Sequence, residues 1–203
     1  MDCYTRQQIK DAVISKGYRW FESGDYNLNI VGVRNSDTHG VVTNKFDDCI
    51  TVSYNVGGEE KFHCFGATTD PGSHWEKNLL NEDGVAILKP GQYRGSHKIG
   101  LHQGKYEALR QQKPVKVYRD NNIDGKYDML EENVHEGIFG INIHRATGIE
   151  GKTSTQIDKW SAGCQVIAAN ADFKLFMEIA NKAREAWSNS FTYTLIESKD
   201  IVA

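Results

Sequence analysis

At 203 residues the chain can bury one sizeable core and is short for two, since domains run to roughly 100 to 200 residues, so a single domain over 1–203 is expected. A formal net charge of −3, with Lys and Arg scattered evenly, leaves no basic stripe to neutralise phosphates, and nucleic acid is excluded as an expected partner. No apolar run approaches the roughly 20 residues of a membrane span, and Met1 to Gln8 lacks the apolar core of a signal peptide; the expectation is synthesis in a cytoplasm, with no membrane insertion.

Thr5-x-x-Gln8 is a capping box, Ile9, Val13 and Ile14 recur at helical spacing, and Gly17 follows as a stop, so a short amphipathic helix opens the chain. After it the period changes. Asn29 to Arg34, Cys49 to Val56 and Lys61 to Gly66 are rich in β-branched or aromatic residues and are separated by Asn, Asp and Gly clusters, as strands joined by turns are. Val85 to Leu88, Lys98 to His102, Val115 to Tyr118 and Phe139 to His144 read the same way. From Asn170, suited to cap, Phe173, Phe176, Met177, Ala180, Ala183 and Trp187 fall on one helical face, and Phe191 to Ile196 reads as a last strand. The expected fold class is therefore mainly β with helices, an α+β domain. Residues 1–50 contribute the N-terminal helix and first strands and have no assigned role.

Cys3, Cys49, Cys64 and Cys164 have no close spacing and read as free thiols, with Cys49 and Cys64 in strand-like runs expected in the core. His63, His74, His97, His102 and His135 are not at zinc-ligand spacing, which disfavours a zinc hydrolase. The informative segment is Gly140-Ile141-Asn142-Ile143-His144, a polar stretch, then Trp160-Ser161-Ala162-Gly163-Cys164. A thiol of pKa ~8.5 is a poor nucleophile near neutrality, so a cysteine enzyme places an imidazole beside the sulfur. His144, ending an apolar strand, suits that role. Ser161, Ala162 and Gly163 are small enough for a tight turn that aims backbone N–H groups at an oxyanion. Buried structural roles for both Cys164 and His144 are the alternative that chemistry alone leaves open.

This segment resembles the L,D-transpeptidase catalytic family, which carries a strand-borne Ile-His, a loop, and a Ser/Thr-His-Gly-Cys motif followed by a helix. Ser161, Gly163 and Cys164 match, and Cys164 follows His144 by twenty residues. Thr68-Thr69-Asp70-Pro71-Gly72 is similar to the family's Thr-Pro-x-Gly turn and Lys89-Pro90-Gly91-Gln92-Tyr93 to its next strand, which extends the resemblance over roughly residues 50–197. Ala162 stands where the family has histidine, Val166 where it often has Arg or Asn, and Arg145 where it often has Gly. The resemblance implies a β-sandwich or barrel with a helix after the cysteine, Cys164 as nucleophile, His144 as base, no required cofactor, and peptidoglycan stem peptides as substrate. Arg145 is then either the guanidinium that binds a stem-peptide carboxylate or a solvated surface arginine.

Asp120, Asn122, Asp124, Asp128 and Glu131 place oxygens at positions 1, 3, 5, 9 and 12 of a calcium-loop template with Gly125 at position 6. The preceding Val115 to Tyr118 reads as a strand, so a structural calcium and a plain acidic hairpin both remain open. A wall enzyme without an export signal resembles phage-encoded lysis proteins, or endolysins, so the expected reaction is hydrolysis of stem peptides on the bacterial wall through an acyl-enzyme. The alternatives are a cross-linking transpeptidase and a non-catalytic wall-binding or virion structural module.

Overall fold

The computed structural model describes residues 4–201. Helix α1 (Arg6–Ser15) starts as its capping box dictates: Thr5 Oγ1 accepts the Gln8 N–H at 3.2 Å and Gln8 Oε1 accepts the Thr5 N–H at 2.9 Å. Strands β1 (Asn29–Arg34), β2 (Asp48–Val56) and β3 (Glu59–Thr68) follow, then a short helix α2 (Ser73–Lys77) and β4 (Val85–Leu88). Next come β5 (Gly91–His102), β6 (Tyr106–Gln111), β7 (Val115–Asp120), β8 (Val134–Gly137), β9 (Ile143–Arg145) and β10 (Gln165–Ile167). Helix α3 (Asn170–Ala186) and β11 (Phe191–Glu197) complete the order.

Eight strands close into a barrel in the order β1, β11, β5, β6, β9, β10, β3, β2, and β4, β7 and β8 form a separate three-stranded sheet. Closure removes the unpaired edges that an open sheet would expose. The mainly β, α+β class expected from the sequence is the one observed. Strand β1 is buried along its whole length. Ile30 faces the main core, while Val31 and Val33 lie under Ile9, Ala12 and Val13 of α1, so burial on both faces accounts for a strand without polar alternation. The core is filled to contact: a Cβ on Gly32 would lie 2.0 Å from the Tyr193 hydroxyl oxygen.

Several elements depart from expectation for identifiable reasons. Strand β5 joins Gly91 to Tyr93 with Lys98 to His102 because Gly95, at φ +59°, absorbs a register shift against β11. Of Phe139 to His144 only the last two residues are strand; the N–H groups of Phe139 and Ile141 donate instead to Gln111 Oε1, at 3.1 and 2.9 Å. Asn170 is not the cap of α3. Ala169 holds that position, and Asn170 is the first helical residue, its Nδ2 donating to Thr147 O at 3.1 Å. Trp187 lies past the helical stripe, exposed, with Nε1 donating to Asp25 O.

The reading of all cysteines as free thiols is corrected at Cys64, which is disulfide-bonded; Cys49 and Cys164 are free, and Cys3 lies outside the described residues. Cys49 is buried as expected, and burial pushes its thiol up to about 12, into inertness. Cys64 is only half-buried, packed against the core beneath α1. Among the described residues no helix is long and apolar enough to cross a membrane.

Candidate active site

Strands β9 and β10 run parallel, with Val166 paired to His144 and Gln165 to Ile143. Paired residues in neighbouring strands share a face, and successive residues alternate, so Cys164, two before Val166, falls on the His144 side. Both side chains line one cavity of about 800 Å³, together with Arg145, Tyr106, Lys159 and Trp160. A second cavity of about 390 Å³, lined by Ala86, Phe139 and Ile141, also reaches Cys164. Trp75, Leu80 and Ala162 wall both cavities, so the sulfur sits where two clefts meet.

The turn that carries the sulfur is held from within. Ser161 Oγ donates to Cys164 O at 2.7 Å and accepts the Gly163 N–H at 3.1 Å, while Ser161 O accepts the Gly72 N–H at 2.8 Å. Gln165 Nε2 donates to Gly163 O at 3.2 Å and Thr69 O at 3.3 Å, and its Oε1 accepts the Tyr193 hydroxyl at 2.8 Å. Gly163 adopts φ +125°, and a Cβ there would lie 2.3 Å from Ala86 O. Since the Gly163 amide is spent on Ser161, the amides left to meet an oxyanion are those of Ala162 and Cys164, which have no acceptor among the described residues.

His144 is buried and oriented by its own strand. Its Nδ1 lies 2.9 Å from Arg145 O, and a carbonyl only accepts, so Nδ1 carries the proton and Nε2 presents a lone pair. Burial first, and the neighbouring His102 second, lower its pKa to about 4 against the pull of Arg145 O. Cys164 is half-buried, and its Sγ donates to Gly140 O at 3.2 Å; none of the hydrogen bonds among the described residues joins it to His144. Burial pushes the thiol up to about 11, opposed by a backbone hydrogen bond from Asn142. The resting pair is therefore a neutral thiol and a neutral imidazole, which suits general-base transfer during attack rather than a standing thiolate.

Arg145 stacks its guanidinium over Tyr106, 4.1 Å from the ring centroid, and pairs with no carboxylate among the described residues. The acidic loop is a chain of turns: Asp120 accepts the Asn122 N–H, Asn122 Oδ1 the Asp124 N–H, and Asp124 the Lys126 N–H, while Asn122 Nδ2 donates to Asp128. Glu131 is turned away, paired with Lys89 and accepting from Tyr118. Among the described residues no three His, Cys, Asp or Glu side chains gather as for a metal ion. A calcium ion would have to draw Glu131 off Lys89, which calorimetric titration with calcium tests directly.

His102, Tyr106 and Trp75 belong to the site and were not singled out from the sequence. In the sequence His102 ends a strand-like run as His144 does, and the same reasoning applied to it would have flagged it. Against known proteins, the chain matches no family model, no curated protein and no solved structure.

Proposed function

We propose that the protein is a cysteine acyl-transfer enzyme that opens peptidoglycan stem peptides. The observation that carries this reading is the convergence of Cys164 and His144 on one cavity, with His144 Nε2 unprotonated and two backbone amides free beside the sulfur. The motif resemblance, Ser161-x-Gly163-Cys164 after a strand-borne His144, supports stem peptides as the substrate class. In the reaction Cys164 Sγ leaves Gly140 O, gives its proton to His144 Nε2 and attacks the scissile carbonyl. The Ala162 and Cys164 amides take the oxyanion, and His144 returns the proton to the departing amine. Water then enters through the open cleft, with His144 again as base, and hydrolysis completes the cycle. Arg145, without an ion-pair partner, offers a fork for a peptide carboxylate on the same wall.

A second reading has an observation of its own. The Sγ hydrogen bond to Gly140 O and the raised thiol pKa suit a non-catalytic wall-binding module that uses the same cleft. Incubation with purified muropeptides separates the readings: the enzyme yields shorter, uncross-linked products, and Cys164→Ala yields none. New cross-linked dimers would move the assignment to transpeptidation. Retention of peptides without any product would favour the binding module.

A further inference from the structure

We propose that His102 is a positioning residue for His144, fixing the orientation of that ring by stacking and keeping it in its neutral, proton-accepting form. The inference rests on the reading of Cys164 and His144 as nucleophile and base. The two rings lie 4.2 Å apart between centroids at an interplanar angle of 24°, although they come from strands far apart in sequence. Their tautomers are set independently. Asn142 Oδ1 accepts the Gln111 N–H at 2.9 Å, which orients the amide so that its Nδ2 donates to His102 Nδ1 at 3.3 Å. His102 Nδ1 is then unprotonated and its proton sits on Nε2. In His144 the assignment is reversed, because Nδ1 must donate to Arg145 O.

The charges around the pair act in the same direction. Lys105 and Arg110 face His102, Arg145 and Tyr106 lie beside His144, and Lys159 and Cys164 complete the wall, with no carboxylate among the described residues that line the cavity. A proton placed on either ring meets positive neighbours and opposes a proton on the other. Burial alone would also disfavour protonation, but the stacked contact adds a partner that a variant can remove.

The test follows His144 through a pH titration of its ring by NMR and, in parallel, the rate of Cys164 alkylation by iodoacetamide. His102→Phe keeps a flat ring against His144 and removes the second titratable group. It is expected to hold alkylation within about threefold of wild type while the His144 midpoint moves to higher pH. His102→Ala removes the backing and admits water, and is expected to slow alkylation about tenfold with a raised midpoint, circular dichroism verifying the fold. Unchanged His144 midpoints and unchanged alkylation in both variants would overturn the proposal. A raised midpoint in a protein that leaves muropeptides uncut would support the positioning role while removing the enzymatic reading beneath it.

Discussion

Gly163 shows how one residue can decide where the Cys164 sulfur points. Any side chain there must push against the β4 carbonyl of Ala86, 2.3 Å from an ideal Cβ, in a backbone conformation that L-residues rarely adopt. Gly163→Ala is expected to cost about 1–3 kcal/mol of stability and to slow Cys164 alkylation about a hundredfold by displacing the sulfur, measured by urea melts and iodoacetamide kinetics. Rates equal to wild type would mean that the turn tolerates the shift. Cys164 and His144 were singled out in the sequence by residue type and motif spacing, and the fold sets both on the wall of one cavity. Ser161 was read as a small turn residue and a motif match, yet its hydroxyl also takes the Gly163 amide, one of those expected to face an oxyanion. That detail depends on side-chain direction within a tight turn, which composition and spacing do not encode. The contact between His102 and His144 was not legible because β6, the strand set between β5 and β9, was itself missed.

In helix α3 periodicity was a sound guide to the buried stripe and a poor one to the ends. Phe176, 1% exposed, meets Phe65 edge-on at 6.4 Å between ring centroids, and α3 packs against both β9 and β10. Phe176→Ala is expected to lower stability by about 3–5 kcal/mol, a large share of the roughly 5–15 kcal/mol of a typical domain. Urea denaturation measures it, and a loss below 1 kcal/mol would show that the helix contributes little to the core. Strand β6 was missed because Tyr106 to Gln111 contains Glu, Ala, Leu, Arg and Gln, which favour helix when isolated. Its pairing with β5 across a turn in which Gln103 and Gly104 both have positive φ overrides that preference. Strand β10 is three residues long, shorter than any alternation pattern can reveal.

At the scale of the whole molecule, acid sensitivity follows from buried neutral histidines. His97 is fully buried, its Nε2 donating to Ile141 O at 2.8 Å, and burial lowers its pKa to about 4 against that hydrogen bond. A folded pKa below the unfolded value of about 6.5 means that the unfolded chain takes up the proton first; the stability from this site is present above pH 6.5 and is lost as pH falls toward 4. Asp48 and Asp70, raised chiefly by burial, act in the opposite sense, so the clean measurement is a difference. The stability advantage of wild type over His97→Gln is expected to shrink by roughly 3 kcal/mol at most between pH 6.5 and 4, followed by thermal or urea melts at each pH. A gap independent of pH would show that His97 titrates normally.

In the proposed reaction Cys164 forms a covalent acyl intermediate with a stem peptide. Intact-protein mass spectrometry of acid-quenched mixtures with a purified stem tetrapeptide tests it most directly. The expected result is a mass increase equal to the acyl fragment in the wild type, mapped by digestion to Cys164 and absent from Cys164→Ala. Much less adduct is expected in His144→Ala, since losing a general base costs about 100-fold or more in rate. No adduct at any quench time in an enzyme that still cleaves the peptide, or an equal adduct in Cys164→Ala, would contradict the proposed reaction.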